Sequence, residues 1–177
     1  MVSIHDRCFL YGDGLFETLR IYNGKPFRWA QHMERLKCGA RFLKIDLPFT
    51  PEEIRQSAGI LIEQNQQSKA ILRMTLSRGV GVRGFSTRGA KKPALVMTLH
   101  PAPIIAPNNN PVWRLITSSI RVPAKDPIAT FKTCNKLVQI FARMEAESQS
   151  ADEALLLNTN GQVAEAASSS AWPWPAP

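Results

Sequence analysis

The sequence has no apolar run long enough to cross a lipid bilayer. Its longest apolar stretches, at residues 94–99 and 154–157, fall far short of the roughly 20 residues that a membrane-spanning helix needs. Residues 1–7 contain no apolar signal region either. From these two absences we predict a cytoplasmic protein with no membrane partner.

Residues that bind metals or form disulfides are few. The three cysteines, Cys8, Cys38 and Cys134, are far apart and lack metal-ligand spacing, and the three histidines also lack partners at such spacing. Scattered cysteines in odd number predict reduced thiols, with Cys134 as a small buried filler. No Gly-x-Ser-x-Gly segment is present. The sequence therefore predicts neither a metal site nor a nucleophile elbow.

Acidic residues are fewer than basic ones. The chain has 22 lysines and arginines against 14 aspartates and glutamates, a net charge of +8. Such a charge suits nucleic acid or an anionic small molecule. The basic residues are spread out, with one modest concentration at residues 78–92, and no basic helix carries interleaved aromatics. We therefore predict no nucleic-acid partner, although a basic nucleic-acid binder stays an alternative.

Side-chain periodicity predicts a mixed set of helices and strands. Strands are predicted at residues 15–22, 25–28, 70–77, 94–100, 113–122, 154–157 and 162–166. One helix carries the apolar stripe Trp29, Met33, Leu36, Ala40 and Leu43. A second helix begins at Thr50 with a capping box. A third follows Lys132 and has an apolar face formed by Leu137, Ile140, Phe141 and Met144.

A glycine-rich loop follows the strand at residues 70–77. Residues 79–84 match the pattern G-x-G-x-x-G, but another loop follows where a dinucleotide-binding fingerprint needs a helix. Two interpretations stay open for the loop. It is a solvated hairpin connection, or a flexible flap whose Arg78, Arg83 or Arg88 meets a carboxylate.

An amine and a carboxylate stand out near the C-terminal end. Lys132 lies between an extended segment and a helix start, where partial burial beside Phe131 favours a nucleophilic amine. Glu165 lies on the second strand of a hairpin and shares a face with Val163, so it points inward if Val163 does. Taken singly, each is more often an ordinary surface charge.

Four segments, in order, resemble the class IV aminotransferases, which use pyridoxal 5′-phosphate. Asp6-Arg7 followed by residues 11–18 resembles the opening motif of the family, and residues 32–36 resemble its His-x-x-Arg-Leu helix. Residues 132–137 resemble the stretch around its Schiff-base lysine, and residues 151–166 resemble its hairpin. The resemblance covers about residues 3–169.

The resemblance implies an α+β protein with the two-domain fold of type IV. Residues 1–102 would form an N-terminal sheet-and-helix domain, residues 103–111 a linker, and residues 112–177 a partial C-terminal cofactor-binding domain. The family continues well beyond the hairpin, and the Trp-Pro tail resembles nothing in it. We therefore expect a C-terminal domain that is truncated, and a homodimer.

The resemblance also assigns roles to single residues. Lys132 would form the Schiff base with pyridoxal 5′-phosphate, Arg35 would hold the cofactor phosphate, and Glu165 would face the pyridine nitrogen. A small-molecule amino substrate would meet Arg83, Phe16 and Thr18.

Within the family, the chain resembles the aminodeoxychorismate lyases most, which eliminate pyruvate to give 4-aminobenzoate. The alternatives are a branched-chain or D-amino-acid aminotransferase, or a catalytically incomplete remnant of the family.

Overall fold

The computed structural model describes residues 2–103 and 112–168, which fall into two compact units. The first unit combines residues up to 103 with the segment Ala129–Asn135, and the second contains residues 112–128 and 136–168. The segment that carries Lys132 thus belongs to the first unit, whereas the sequence-based boundary assigned it to the second. The reason is backbone pairing with the first sheet, described below. Residues 104–111 of the predicted linker and the tail at 169–177 lie outside the described residues.

The first unit is built on a four-stranded antiparallel sheet. Its strands are β1 (Gly14–Tyr22), β2 (Lys25–Pro26), β3 (Ala70–Ser77) and β4 (Ala94–Pro101), in the order β2-β1-β3-β4. Asn23 and Gly24 join β1 to β2 with φ angles of 48° and 74°, the pair of positive values that a type I′ hairpin turn requires. The predicted strands are confirmed, with β2 two residues shorter.

Helices pack on one face of this sheet. They are α2 (Trp29–Leu43) and α3 (Pro51–Gln64), and a short helix, α1 (Arg7–Tyr11), precedes β1. The predicted stripe of α2 lies in the core together with the alternate leucines of β1 and β3. At the start of α3 the Thr50 hydroxyl accepts from the Glu53 amide at 3.2 Å, and the Glu53 carboxylate accepts from the Thr50 amide at 2.7 Å. This capping box is the one predicted.

The second unit combines three strands with one helix. Its elements are β5 (Leu115–Val122), α4 (Leu137–Ser148), β6 (Glu153–Asn158) and β7 (Val163–Ala166), with the sheet order β5-β6-β7. Strands β5 and β6 are parallel, and β6 and β7 form an antiparallel hairpin. A short 3-10 helix, Pro127–Thr130, lies between β5 and the Lys132 segment.

The predicted apolar face of α4 is not its buried face. Leu137, Ile140, Phe141 and Met144 are between 52% and 62% exposed. The core of this unit instead contains the small residues Ala142 and Ala146 of α4, packed with Ala154 and Leu156 of β6. Small side chains let a helix approach a sheet closely, so the larger apolar residues point elsewhere. No helix within the described part of the chain is long and apolar enough to span a membrane.

Candidate active site

Lys132 is held against the free edge of β1 by backbone hydrogen bonds. The Phe16 amide donates to the Lys132 carbonyl and the Cys134 amide donates to the Gly14 carbonyl, both at 2.9 Å. Leu15 and Thr133 pair between them as an antiparallel bridge. The three-residue segment therefore adds a short extra strand where β2 does not reach. Its position explains why it belongs to the first unit.

The amine of Lys132 lies over an aromatic ring. In this pairing Lys132 stands opposite Phe16, and its Nζ is 4.7 Å from the centre of the Phe16 ring. Phe16 is itself buried, and Lys132 is partly buried. On its other side, Phe131 stacks on Phe42 of α2 with ring centres 4.5 Å apart. Aromatic contacts thus fix the lysine segment on both sides.

Arg73 is a second cation at the Phe16 ring, and the sequence did not single it out. Its guanidinium carbon lies 3.9 Å from the ring centre. Thr18 pairs with Arg73 across β1 and β3, and shares a strand face with Phe16. The alternation of β3 was the available signal, because it turns Arg73 away from the core face of Leu72 and Met74. Of the residues predicted to meet substrate, Phe16 and Thr18 therefore lie together.

Arg83, the third predicted substrate residue, lies in the loop after β3 at an exposed position. The loop is not simply solvated, because Arg7 holds it. One Arg7 Nη donates to the carbonyls of Gly84 and Ser86 at 2.9 and 3.0 Å, and the other donates to that of Phe85 at 3.2 Å. The amide of Gly84 also donates to the Tyr11 hydroxyl at 2.9 Å.

Arg78 meets a carboxylate, but one of its own chain. Its Nε and that of Arg7 each donate to Asp13 Oδ2 at 2.8 Å. Burial on its own raises the pKa of Asp13, but the hydrogen bonds from Arg78 and Arg7 outweigh it and leave the pKa below its ordinary value. Arg78 also donates to the carbonyls of Leu43 and Lys44. It therefore joins the loop base to the end of α2.

Arg35 is paired with a buried glutamate. Glu17, which follows Phe16 on β1, is 1% exposed, and its Oε1 accepts from Arg35 Nε at 2.5 Å. One Nη of Arg35 donates to Oε2, which also lies 2.7 Å from His32 Nδ1. Burial raises the pKa of Glu17, but hydrogen bonds from Arg35 and His32 lower it further, so the carboxylate stays ionised. The pair fixes the direction of the Arg35 guanidinium.

Glu165 lies in the second unit and is held by Gln139 of α4. Gln139 Nε2 donates to Glu165 Oε1 at 2.5 Å. Gln139 Oε1 is buried and has no hydrogen-bond partner among the described residues. An acceptor of this kind, next to a carboxylate, suits a group that brings an N–H donor.

The expected link between Glu165 and Val163 does not hold. A register shift in the β6–β7 pairing leaves Ala164 as an extra residue between them. Such a bulge breaks the alternation of side chains. Val163 is 56% exposed, whereas Glu165 is partly buried.

Groups of three or more potential metal-ligating side chains are not found within residues 2–103 and 112–168. What the first unit offers instead is a partly buried amine and two arginines that contact consecutive residues of β1, Phe16 and Glu17. An aldehyde with an anionic substituent is a ligand that an amine and arginines can bind. The second unit offers a carboxylate held by an amide.

A family model described as amino-transferase class IV matches residues 14–174. The chain therefore belongs to the class IV aminotransferases, a family of enzymes that depend on pyridoxal phosphate. The family predicted from the four segments is confirmed, and the α+β fold class with a partial C-terminal domain is confirmed as well.

Relatives with different activities match the chain to similar extents. A Methanocaldococcus jannaschii protein, provisionally named a branched-chain-amino-acid aminotransferase, is 34% identical over 93% of this chain and 57% of its own length. The D-alanine aminotransferase of Bacillus licheniformis is 30% identical over 97% of the chain and 59% of its own. The aminodeoxychorismate lyase of Bacillus subtilis is 29% identical over 93% and 56%. The chain thus spans less than three fifths of the length of these curated relatives.

Solved structures match the fold closely. A 4-amino-4-deoxychorismate lyase from Pseudomonas aeruginosa has a TM-score of 0.81 and is 27% identical, over 95% of this chain and 61% of its own. A branched-chain amino acid aminotransferase of T.th. with pyridoxamine 5′-phosphate has a TM-score of 0.83 and is 31% identical, over 94% and 57%.

Proposed function

We propose that this chain is the lysine-bearing part of a pyridoxal 5′-phosphate enzyme that acts on a small amino substrate. The observation that carries the proposal is the placement of Lys132. Its backbone is paired with β1 and its Nζ lies over the buried Phe16 ring at 4.7 Å. A lysine amine held in this way on a rigid strand suits covalent capture of an aldehyde.

Three side chains would hold the cofactor. Lys132 would bind its aldehyde, Arg35 would hold its phosphate with Glu17 orienting the guanidinium, and Glu165 would accept from its ring nitrogen with Gln139 as support. When bound, the cofactor supplies an electron-withdrawing ring that stabilises negative charge at a substrate carbon.

Lys132 also has a role in proton transfer. Once its Nζ is neutral, it can accept a proton from the substrate carbon and return it, because the amine is close to that carbon and Phe16 limits the access of water. Arg73, on the same ring, places a second positive charge beside the amine. A carboxylate on the substrate would match this charge, which agrees with the net charge of +8.

Among reactions of this class we favour pyruvate elimination from 4-amino-4-deoxychorismate, giving 4-aminobenzoate. The support is the resemblance of the loop at residues 77–86 and of residues 132–137 to the lyases, together with the lyases among the matching proteins. Amino transfer by branched-chain or D-amino acids is the alternative that the other relatives favour. A homodimer, a cytoplasmic location and the lack of a nucleic-acid partner stay predictions.

An absorption titration with pyridoxal 5′-phosphate tests cofactor binding. The wild-type chain should develop a visible band that saturates, and Lys132→Ala should abolish it. Lys69→Ala removes an exposed amine next to β3 and should leave the band intact. A wild type without the band, or a band that survives in Lys132→Ala, would count against the proposal and favour a remnant without catalysis.

The substrate is tested separately, on a chain that binds the cofactor. Pyruvate and 4-aminobenzoate released in equal amounts from 4-amino-4-deoxychorismate would support the lyase assignment. Amino transfer from D-alanine or leucine to 2-oxoglutarate, without pyruvate release from the chorismate derivative, would contradict it and favour the transaminase.

A further inference from the structure

Two cysteines that are far apart in the sequence meet at Gly14. Cys8 lies in α1, and Cys134 ends the short segment that pairs with β1. The Cys134 amide donates to the Gly14 carbonyl at 2.9 Å, and the thiols of Cys8 and Cys134 are hydrogen-bonded to each other. Both cysteines are partly buried in the first unit. The sequence-based expectation of isolated thiols therefore does not describe their positions.

Gly14 provides the space for this contact. A Cβ built on Gly14 would lie 2.9 Å from Cys8 Sγ and 2.5 Å from the Leu76 carbonyl oxygen, closer than real Cβ atoms come to such atoms. Any other residue at this position would push the Cys8 thiol away from β1. The proximity of the thiols thus depends on a specific residue and two elements of ordered backbone.

The third cysteine has different surroundings. Cys38 is exposed on α2, and its pKa is raised by partial desolvation and by a hydrogen bond to Glu34. In contrast, the hydrogen bond from Cys134 lowers the pKa of Cys8 below its ordinary value, against the opposing effect of burial. Because the thiolate is the attacking species in disulfide exchange, Cys8 is the better nucleophile at neutral pH.

We propose that Cys8 and Cys134 form an oxidisable dithiol, a modification site that a low-molecular-weight disulfide converts to an intramolecular disulfide. The Cys8 thiolate attacks one sulfur of the small disulfide, forms a mixed disulfide and releases one small thiolate. The Cys134 thiolate then attacks Cys8 Sγ and releases the second. The two protein thiols lose two electrons and two protons, and the small disulfide becomes two thiols.

The consequence concerns the lysine segment. Cys134 is two residues from Lys132, so the disulfide would tie that segment covalently to α1 in addition to its backbone bonds with β1. A crosslink between residues distant in sequence restricts the unfolded chain, so the oxidised protein should be the more stable form. The proposal does not depend on cofactor binding and stands or falls separately from the proposed function.

The test uses the full chain and oxidised glutathione. After reaction under native conditions, acid quench and tryptic digestion without reductant, mass spectrometry should find the Cys8 peptide linked to the Cys134 peptide, two hydrogens lighter than the sum. Cys38 should be a thiol or carry glutathione. The Cys38→Ser variant should keep the link, and its melting temperature should rise on oxidation and fall again with reductant.

Cys8→Ser and Cys134→Ser should each lose the link and the shift in melting temperature. Wild-type protein that carries glutathione on Cys8 and Cys134 without a linked peptide would overturn the proposal, as would a link that involves Cys38. Both outcomes are read in the wild type, so they do not require that the serine variants fold.

Discussion

Glu17 is the residue on which the arrangement around Arg35 depends. Alternation along β1 gives this position to the core, between Leu15 and Leu19, where an unpaired charge would be costly. Arg35 and His32 compensate the carboxylate with hydrogen bonds. The signal in the sequence was a single acid in an apolar register. It is visible in retrospect, but its partner could not be identified because the helix that carries Arg35 is separated from β1 by a hairpin.

Replacement of Glu17 by glutamine should destabilise the protein. The variant leaves the Arg35 guanidinium with a neutral acceptor in a mostly buried place, so we expect a loss of about 2 kcal/mol in the free energy of unfolding in urea. Glu34→Gln on the same helix breaks the exposed pair with Arg41 and should cost less than about 0.5 kcal/mol. Equal effects of the two substitutions would contradict the buried pair.

The same pair predicts a dependence on pH. The folded pKa of Glu17 lies below its ordinary value of 4.5, so the folded state binds fewer protons than the unfolded state in that range. The stabilisation is therefore complete above pH 4.5 and is lost as the pH falls toward the folded pKa. In urea unfolding between about pH 7 and pH 3, Glu17→Gln should lose less stability than the wild type.

Gln139 provides a prediction for the second unit. If it fixes Glu165 for the cofactor ring nitrogen, Gln139→Ala should weaken pyridoxal phosphate binding about tenfold, since a hydrogen bond to a charged group contributes about 1.5 kcal/mol. Fluorescence titration measures the dissociation constant. Gln64→Ala, at the exposed end of α3, is the control and should bind normally. An unchanged constant for Gln139→Ala would remove the supporting role.

At the scale of elements, the loop after β3 differs most from its prediction. Its glycines and arginines indicated a hairpin connection or a flap, and they carried no information about Arg7, which lies more than seventy residues earlier in the chain. The clasp needs the planar guanidinium, because Arg7 contacts Asp13 and three successive loop carbonyls at once. A lysine cannot reproduce these contacts.

Arg7→Lys should therefore release the loop. Limited digestion with trypsin should cleave after Arg83 and Arg88 about tenfold faster than in the wild type, because cleavage requires local opening. Arg41→Lys changes a side chain that is 72% exposed and should leave the rate unchanged. If Arg7→Lys is cleaved no faster than the wild type, the clasp does not restrain the loop.

Helix α4 shows how spacing can identify an element and still misjudge its buried face. The spacing of Leu137, Ile140, Phe141 and Met144 correctly predicted a helix, but the side chains that meet the sheet are Ala142 and Ala146. Apolar periodicity reports which residues share a face. It does not report which face a neighbouring sheet can approach.

Substitutions on the two faces of α4 should have opposite outcomes. Ala146→Leu adds volume in a closely packed contact and should cost about 2 kcal/mol in urea unfolding. Phe141→Ser removes a side chain that is 55% exposed and should change the stability by less than about 0.5 kcal/mol. A large loss for Phe141→Ser with no loss for Ala146→Leu would mean that the faces are reversed.

At the scale of the whole molecule, most elements and the family could be predicted from the sequence, because local periodicity and ordered motifs carry that information. The parallel pairing of β5 with β6 and the membership of the Lys132 segment in the first unit could not. Both depend on which backbone edges are unpaired, and this is decided by the assembled sheets. Arg73 and Cys8 were missed for the same reason, since their partners come from distant segments.

The central claim is that Lys132 is the residue that binds the cofactor covalently. The most direct measurement is incubation of the chain with pyridoxal 5′-phosphate, reduction with borohydride, tryptic digestion and mapping of the phosphopyridoxyl group by mass spectrometry. The account predicts a stoichiometric label on Lys132 and little on exposed lysines such as Lys69 and Lys91. A label spread over the exposed lysines, with Lys132 unmodified, would contradict it.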